Sequence, residues 1–146
     1  MTITRRDICF LLPGFLPAAT ALDAFAAEDN SLPSASHPFD KLSKQILDHA
    51  EMRAVLKGKL ATGEALEVHE TTLPAGAAPH PPHHHVHSEM WLVREGTVEL
   101  TVNGTSYRLG PGGVGFVHSN DEHGIKNVGA TVATYFVVAV GPGADA

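Results

Sequence analysis

From Glu64 to Val140 the sequence is cut into short β-prone runs by glycine, proline and asparagine, and this spacing constrains the fold more than any other feature. Glu64 to Thr72 is bounded by Gly63 and Pro74. Met90–Val93, Thr97–Val102, Thr105–Leu109, Val114–Val117, His123–Val128 and Thr131–Val140 follow as further runs. Asn103-Gly104 fits a type I′ hairpin turn, in which both central residues take positive φ. Val98, Leu100 and Val102 share one face of their run and Glu99 and Thr101 the other, the pattern of a half-buried strand. The last run holds six β-branched residues and predicts a central strand. No glycine-rich loop joins a strand to a helix, which argues against a dinucleotide fold or a nucleotide hydrolase. The expected class is all-β, an antiparallel barrel or sandwich.

The first thirty residues are of another kind. Arg5-Arg6 stands before an apolar stretch that reaches about Leu22 and is broken by Pro13, Gly14 and Pro17. Ala24-x-Ala26 fits signal peptidase. A membrane anchor needs about 18 unbroken apolar residues, so none is expected. The paired arginines with a weak apolar region resemble a twin-arginine export signal of bacteria. The expected division is 1–26 cleavable signal, 27–50 N-terminal arm or linker and 51–146 β domain, with a periplasmic or secreted destination. Residues 27–146, about 120, suffice for one compact domain. The only cysteine, Cys9, lies in the signal, so the mature chain has neither disulfide nor thiolate ligand. Within the arm, Phe39, Leu42, Ile46 and Leu47 are spaced for a short helix with Asp40 as its cap.

The formal charge of -6 and the lack of a basic patch argue against nucleic acid as a partner, and the acidity against an anionic membrane. Chemistry concentrates elsewhere. Five histidines, His80, His83, His84, His85 and His87, fall within eight residues, with Glu89 beyond them. Imidazole and carboxylate are preferred ligands of divalent Mn, Fe, Co, Ni, Cu and Zn. Pro81-Pro82 resists helix and favours an extended approach. Side chains of an extended chain alternate between faces, so His83, His85 and Glu89 share a side and His84 does not. Three ligands then project from one side of a bent β segment, and a fourth has to come from elsewhere.

Gly76, His83, His85, Glu89 and Gly96 form the pattern G-x6-H-x-H-x3-E-x6-G, which closely resembles the first motif of the cupin superfamily and differs from it by one residue between the opening glycine and the first histidine. Gly112, His118, Asn120, His123 and Asn127 occupy the frame of the second motif. There His123 and Asn127 match, while His118 and Asn120 replace a proline and a glycine. Thr97 to Pro111 separates the motifs by 15 residues, a compact spacing.

The resemblance implies a double-stranded β-helix, or jelly-roll barrel, around one divalent transition metal. His83, His85, Glu89 and His123 would be its ligands. Mn or Fe suits such an N3O site open to chemistry, with Ni, Co, Cu and Zn as alternatives. Glu89 could instead leave the metal and act as a base, and His118 could line the mouth and move protons or simply cap its strand. By analogy of fold the implied activity is a dioxygenase acting on a small phenolic or enolisable compound. The alternatives are a metal-dependent isomerase or lyase, including hydroxynitrile cleavage, and a non-catalytic periplasmic binding protein. Small single-barrel cupins pair as dimers, so a homodimer is expected.

Other residues carry weaker signals. Asn120 tolerates the positive φ of a glycine turn. His80 reads as a loop residue and His87 as a rim or supporting group. His69 and Glu67 share a strand face, with pocket and surface equally open to them. Trp91 and Phe116 are expected to pack beneath the metal, or to form an aromatic wall for a flat substrate.

Overall fold

The computed structural model describes residues 31–146, so the expected export signal lies outside the described residues. Nine strands form there: β1 (Ser43–Leu47), β2 (Ala50–Lys59), β3 (Ala65–Leu73), β4 (Ser88–Glu95), β5 (Val98–Val102), β6 (Thr105–Leu109), β7 (Val114–Val117), β8 (His123–Asn127) and β9 (Ala133–Val140). Six make one antiparallel sheet, in the order β1-β2-β3-β9-β4-β7, and three make a second, β6-β5-β8. The two sheets enclose one core, built on Leu73, Trp91, Val98, Leu100, Val117 and Tyr135. Fully burying a side chain of this size contributes about 1.5–3 kcal/mol. This is the jelly-roll barrel that the sequence predicts. No helix among the described residues is long and apolar enough to cross a membrane.

Alternation explains which residues face inward. On β4 Trp91 and Val93 are buried while Leu92 is exposed, and on β5 Val98 and Leu100 are buried. On β9 Ala133, Tyr135, Val137 and Ala139 share the inner face. The turns also take the geometry their residues permit. Asn103 and Gly104 have φ of 47° and 80°, and Asn120 has 65°. Gly96 closes the first motif at φ 77°, where a Cβ would lie 2.5 Å from the Val132 carbonyl oxygen, so no other residue fits there without displacing β9.

Asn127, the last residue of the second motif, is fully buried at the end of β8. Its Nδ2 donates to the carbonyls of Leu73 (3.0 Å) and Thr131 (2.7 Å), and its Oδ1 accepts from the Gly129 amide (2.9 Å). One side chain thus ties β3 and the β8–β9 turn together.

Two expectations are corrected. The predicted helix over Phe39–Leu47 is only a 3-10 turn, Phe39–Lys41, followed by β1, and Asp40 is not its cap. A helix that short lacks the length to hold itself without packing, whereas β1 pairs residue for residue with β2 from Ser43↔Ala54 to Leu47↔Ala50. The sheet therefore begins inside the segment read as arm. Phe116 is not in the core: it lies on the outer face of β7, 58% exposed. Phe39, at the arm's end, rests against Arg53 and Arg94 with ring centroids 4.6 and 5.2 Å from the guanidinium carbons. Arg94 in turn bonds buried Glu70 at 2.9 Å.

Candidate metal centre

The double proline, Pro81-Pro82, carries the chain across the barrel mouth in extended form, and His83 then pairs with His123 in an isolated antiparallel bridge. Each amide of the two residues donates to the other's carbonyl, at 2.9 and 2.8 Å. This bridge joins the two motifs: it sets the first residue of β8 against the histidine loop before β4. Glu89, second residue of β4, points inward from the same side because it shares parity with Trp91.

The four expected ligands come together. Ring centroids lie 4.7 Å apart for His83–His123 and for His85–His123, and 5.2 Å apart for His83–His85. Nitrogens of these three rings all fall within 4.8 Å of one another. Glu89 Oε1 is 3.3 Å from His85 Nε2, and Oε2 is 3.5 Å from His123 Nε2.

Proton positions follow from the outer partners. His85 Nδ1 lies 2.9 Å from the His87 carbonyl and His123 Nδ1 2.8 Å from the Asp121 carbonyl. A carbonyl only accepts, so both Nδ1 atoms carry hydrogen, and in its neutral form each ring presents a lone pair at Nε2. These two Nε2 atoms, with His83 Nδ1, are buried and make no hydrogen bond. The Nε2 lone pairs face the Glu89 carboxylate, which also only accepts. In the neutral tautomers these acceptors converge without a donor, and a cation, either a proton on a ring or a metal ion, satisfies them. Outer-partner hydrogen bonds of this kind are typical of metal-binding histidines. The donor set therefore fits a divalent transition ion.

The charges agree. Burial, with His80, His123 and His85 close by, pushes the His83 pKa down to about 4, so it is a neutral imidazole at ordinary pH. Burial works to raise Glu89, but His123, His85 and His87 outweigh it and hold the carboxyl below its usual range. Burial likewise works to discharge His123, yet Glu89 and the Asp121 carbonyl hold it above the usual histidine range. At 3.5 Å and without bonding geometry, the His123–Glu89 contact is electrostatic rather than a formed hydrogen bond.

The surrounding residues divide clearly. His87 stacks on His85 at 3.6 Å and 14°, with Nε2 3.5 Å from Glu89 Oε1, so it belongs to the cluster although the motif does not use it. His80 is exposed but sets its ring edge-on to His83 at 4.3 Å. His84 points to solvent. His118 is also exposed, its Nδ1 on the Ser119 carbonyl, and it does not reach the cluster. A cavity of about 190 Å³ opens beside Glu89 and His123. Trp91, Ile125, Val137 and Met52 supply apolar wall, and His69, His80, Thr71 and Tyr135 supply polar groups. Trp91 is both core residue and cavity wall, its ring 5.5 Å from His123. Burial pushes the Tyr135 phenol far up, so it remains a donor, and it bonds to Thr71.

Sequence reading left His69 undecided and did not single out Thr71 or Tyr135. The available signal was parity: His69 and Thr71 alternate with Leu73 on β3, and Tyr135 with Val137 on β9.

Residues 69–139 match the cupin domain family. No curated protein matches the chain. Among solved structures, the chain is similar to the cupin domain of Cnp3 from Schizosaccharomyces pombe, at 22% identity and TM-score 0.57, over 63% of this chain and 61% of that one. It thus spans about three fifths of that relative's length. It is also similar to a sugar phosphate isomerase of the cupin superfamily from Silicibacter pomeroyi (18%, TM-score 0.60, 72% and 74% covered). A third is the polyketide cyclase RemF from Streptomyces resistomycificus (18%, TM-score 0.59, 75% and 80% covered). At such identities the likeness is one of fold.

Proposed function

We propose, from the match of residues 69–139 to the cupin domain family, a metal-dependent enzyme of the isomerase or lyase class, acting on a small oxygen-bearing compound. The observation that carries the reading is the pair of buried, unbonded Nε2 atoms of His85 and His123 aimed at the Glu89 carboxylate, at the edge of a largely apolar cavity. His83, His85, Glu89 and His123 would hold the ion. A divalent ion in this place supplies Lewis-acid polarisation of a ligand oxygen. The apolar wall excludes water and strengthens every charge interaction inside. His87, stacked on His85, and the Asp121 carbonyl keep the ligating rings oriented.

A three-histidine, one-glutamate set serves Lewis-acid and redox chemistry alike, so the dioxygenase expectation draws no support from the donors. Two of the similar structures bear the names of an isomerase and a cyclase, which favours chemistry without dioxygen. Manganese- or iron-loaded protein should turn over members of a panel of small hydroxycarbonyl compounds and hydroxynitriles under strict anaerobiosis. Dioxygen consumed in step with substrate would overturn the reading.

We also infer a homodimer. Leu56, Val68, Val138, Met90 and Phe116 stand in register across β2, β3, β9, β4 and β7 on the outer face of the large sheet. Met90, Leu92, Val114 and Phe116 are all exposed there. A contiguous apolar band of this kind marks an interface. Arg53 and Arg94 border it, and Arg94 is bonded to buried Glu70 within the chain. Light scattering at micromolar concentration should give twice the chain mass for the native protein and a monomer for Met90→Glu/Phe116→Glu. A native monomer would contradict this.

A further inference from the structure

Across the cavity from the histidine cluster, β3 carries a second pair of ionisable residues. His69 Nδ1 lies 2.9 Å from both oxygens of Glu67, and both side chains are largely buried. A carboxylate only accepts, so Nδ1 carries the hydrogen, and in the neutral tautomer this leaves the lone pair on Nε2. His69 lines the same cavity as Glu89 and His123.

Register fixes the distance between the two groups. Glu67 pairs with Ala139 of β9, and Ala139 pairs with Glu89 of β4, so the two glutamates occupy one row of the wall, two strands apart. His69 occupies the next row, with Val137 and Trp91. Two strand spacings are about 10 Å. Ala139 and Val137 stand between them in these rows, and Val137 lines the cavity. At about 190 Å³ the cavity is smaller than those that take drug-sized ligands. His69, Glu89 and His123 all line it, with Trp91, Ile125 and Val137 as apolar wall.

We propose that His69, oriented by Glu67, is the proton acceptor of this cavity, and that the substrate is a small carbonyl compound with an acidic hydrogen beside the carbonyl. This rests on the function proposed above. The carbonyl oxygen faces the histidine cluster and the acidic C–H faces His69. The C–H bond breaks, its proton goes to His69 Nε2, and the electron pair moves through the adjacent carbon to the carbonyl oxygen, giving an enolate. Glu67 stabilises the imidazolium formed. Return of that proton to a neighbouring carbon completes an isomerisation, and departure of a leaving group from the next carbon completes an elimination.

The test is hydrogen exchange, which needs no knowledge of the natural substrate. Zinc-loaded protein is mixed with dihydroxyacetone in deuterated water, and loss of the C–H signal is followed by proton NMR against free zinc as blank. Native protein should exchange well above the blank. His69→Gln and Glu67→Gln should exchange at least ten-fold more slowly, with zinc content and KM unchanged, and added imidazole should restore part of the rate to His69→Ala. Native exchange that persists in His69→Gln overturns the role of His69 and leaves the metal-dependent reading intact. Loss of zinc along with exchange makes the pair structural and also overturns the role. No exchange by zinc-bound native protein overturns both.

Discussion

His123→Ala is expected to lower metal affinity by more than about 100-fold while the barrel stays folded. Changes to residues that merely support a metal ligand already cost 10–100-fold, and His123 is one of two buried rings whose Nε2 faces Glu89 with no bond of its own. His85→Ala should behave alike. Affinity should also depend on pH in a defined direction. His123 is held above the usual histidine range, so in the metal-free protein its proton competes with the ion, and affinity should rise as pH rises through and just above that range. His83, pushed down to about 4, is neutral throughout this window and adds nothing to the slope. The slope should flatten in His123→Ala. Chelator competition followed by elemental analysis measures both effects, with circular dichroism to verify folding. Unchanged metal content in the variant would contradict the assignment.

The second large effect concerns stability. Asn127→Ala removes one side chain and leaves the Leu73 and Thr131 carbonyls and the Gly129 amide without their partner. Unsatisfied buried groups cost about 1–3 kcal/mol each, part of it relieved by local relaxation, so a loss of roughly 2–4 kcal/mol is expected. Asn127→Asp is nearly the same shape but turns a carboxylate towards two carbonyls. Its folded-state pKa should be raised, so its stability should decline further as pH rises above the ordinary aspartate range. Urea unfolding of the two variants at several pH values gives the comparison. A midpoint shift worth less than about 0.5 kcal/mol in Asn127→Ala would show that water replaces the amide.

These two residues illustrate what the sequence made legible. The histidines and Glu89 could be placed because strand parity is strict and because Pro81-Pro82 enforces an extended approach. The strand limits at Thr105–Leu109 and Val114–Val117 agree residue for residue with the fold, since glycine and asparagine with positive φ end them. Where parity lacked a reference it failed. Phe116 alternates with buried Val117 on an inner-outer pattern that the apolar run Val114–Val117 conceals, because its outer residues are apolar too. Ile46, 71% exposed on β1, gave a helical spacing for the same reason: apolar residues on an outward face mimic a buried stripe. His69 was invisible as a cavity residue because only the pairing of β3 with β9 and of β9 with β4 places it in the row of Trp91, beside that of Glu89. His118 stands where the second motif has a proline, and it lies exposed beside the turn at Ser119-Asn120.

The most direct measurement is anomalous scattering from crystals of protein purified without metal resin, with the wavelength set across the manganese, iron, nickel, copper and zinc edges in turn. One anomalous peak per chain is expected within bonding distance of His83, His85, Glu89 and His123. An empty site in a folded, soluble protein, or peaks only at the exposed His80 and His84, would contradict the central claim.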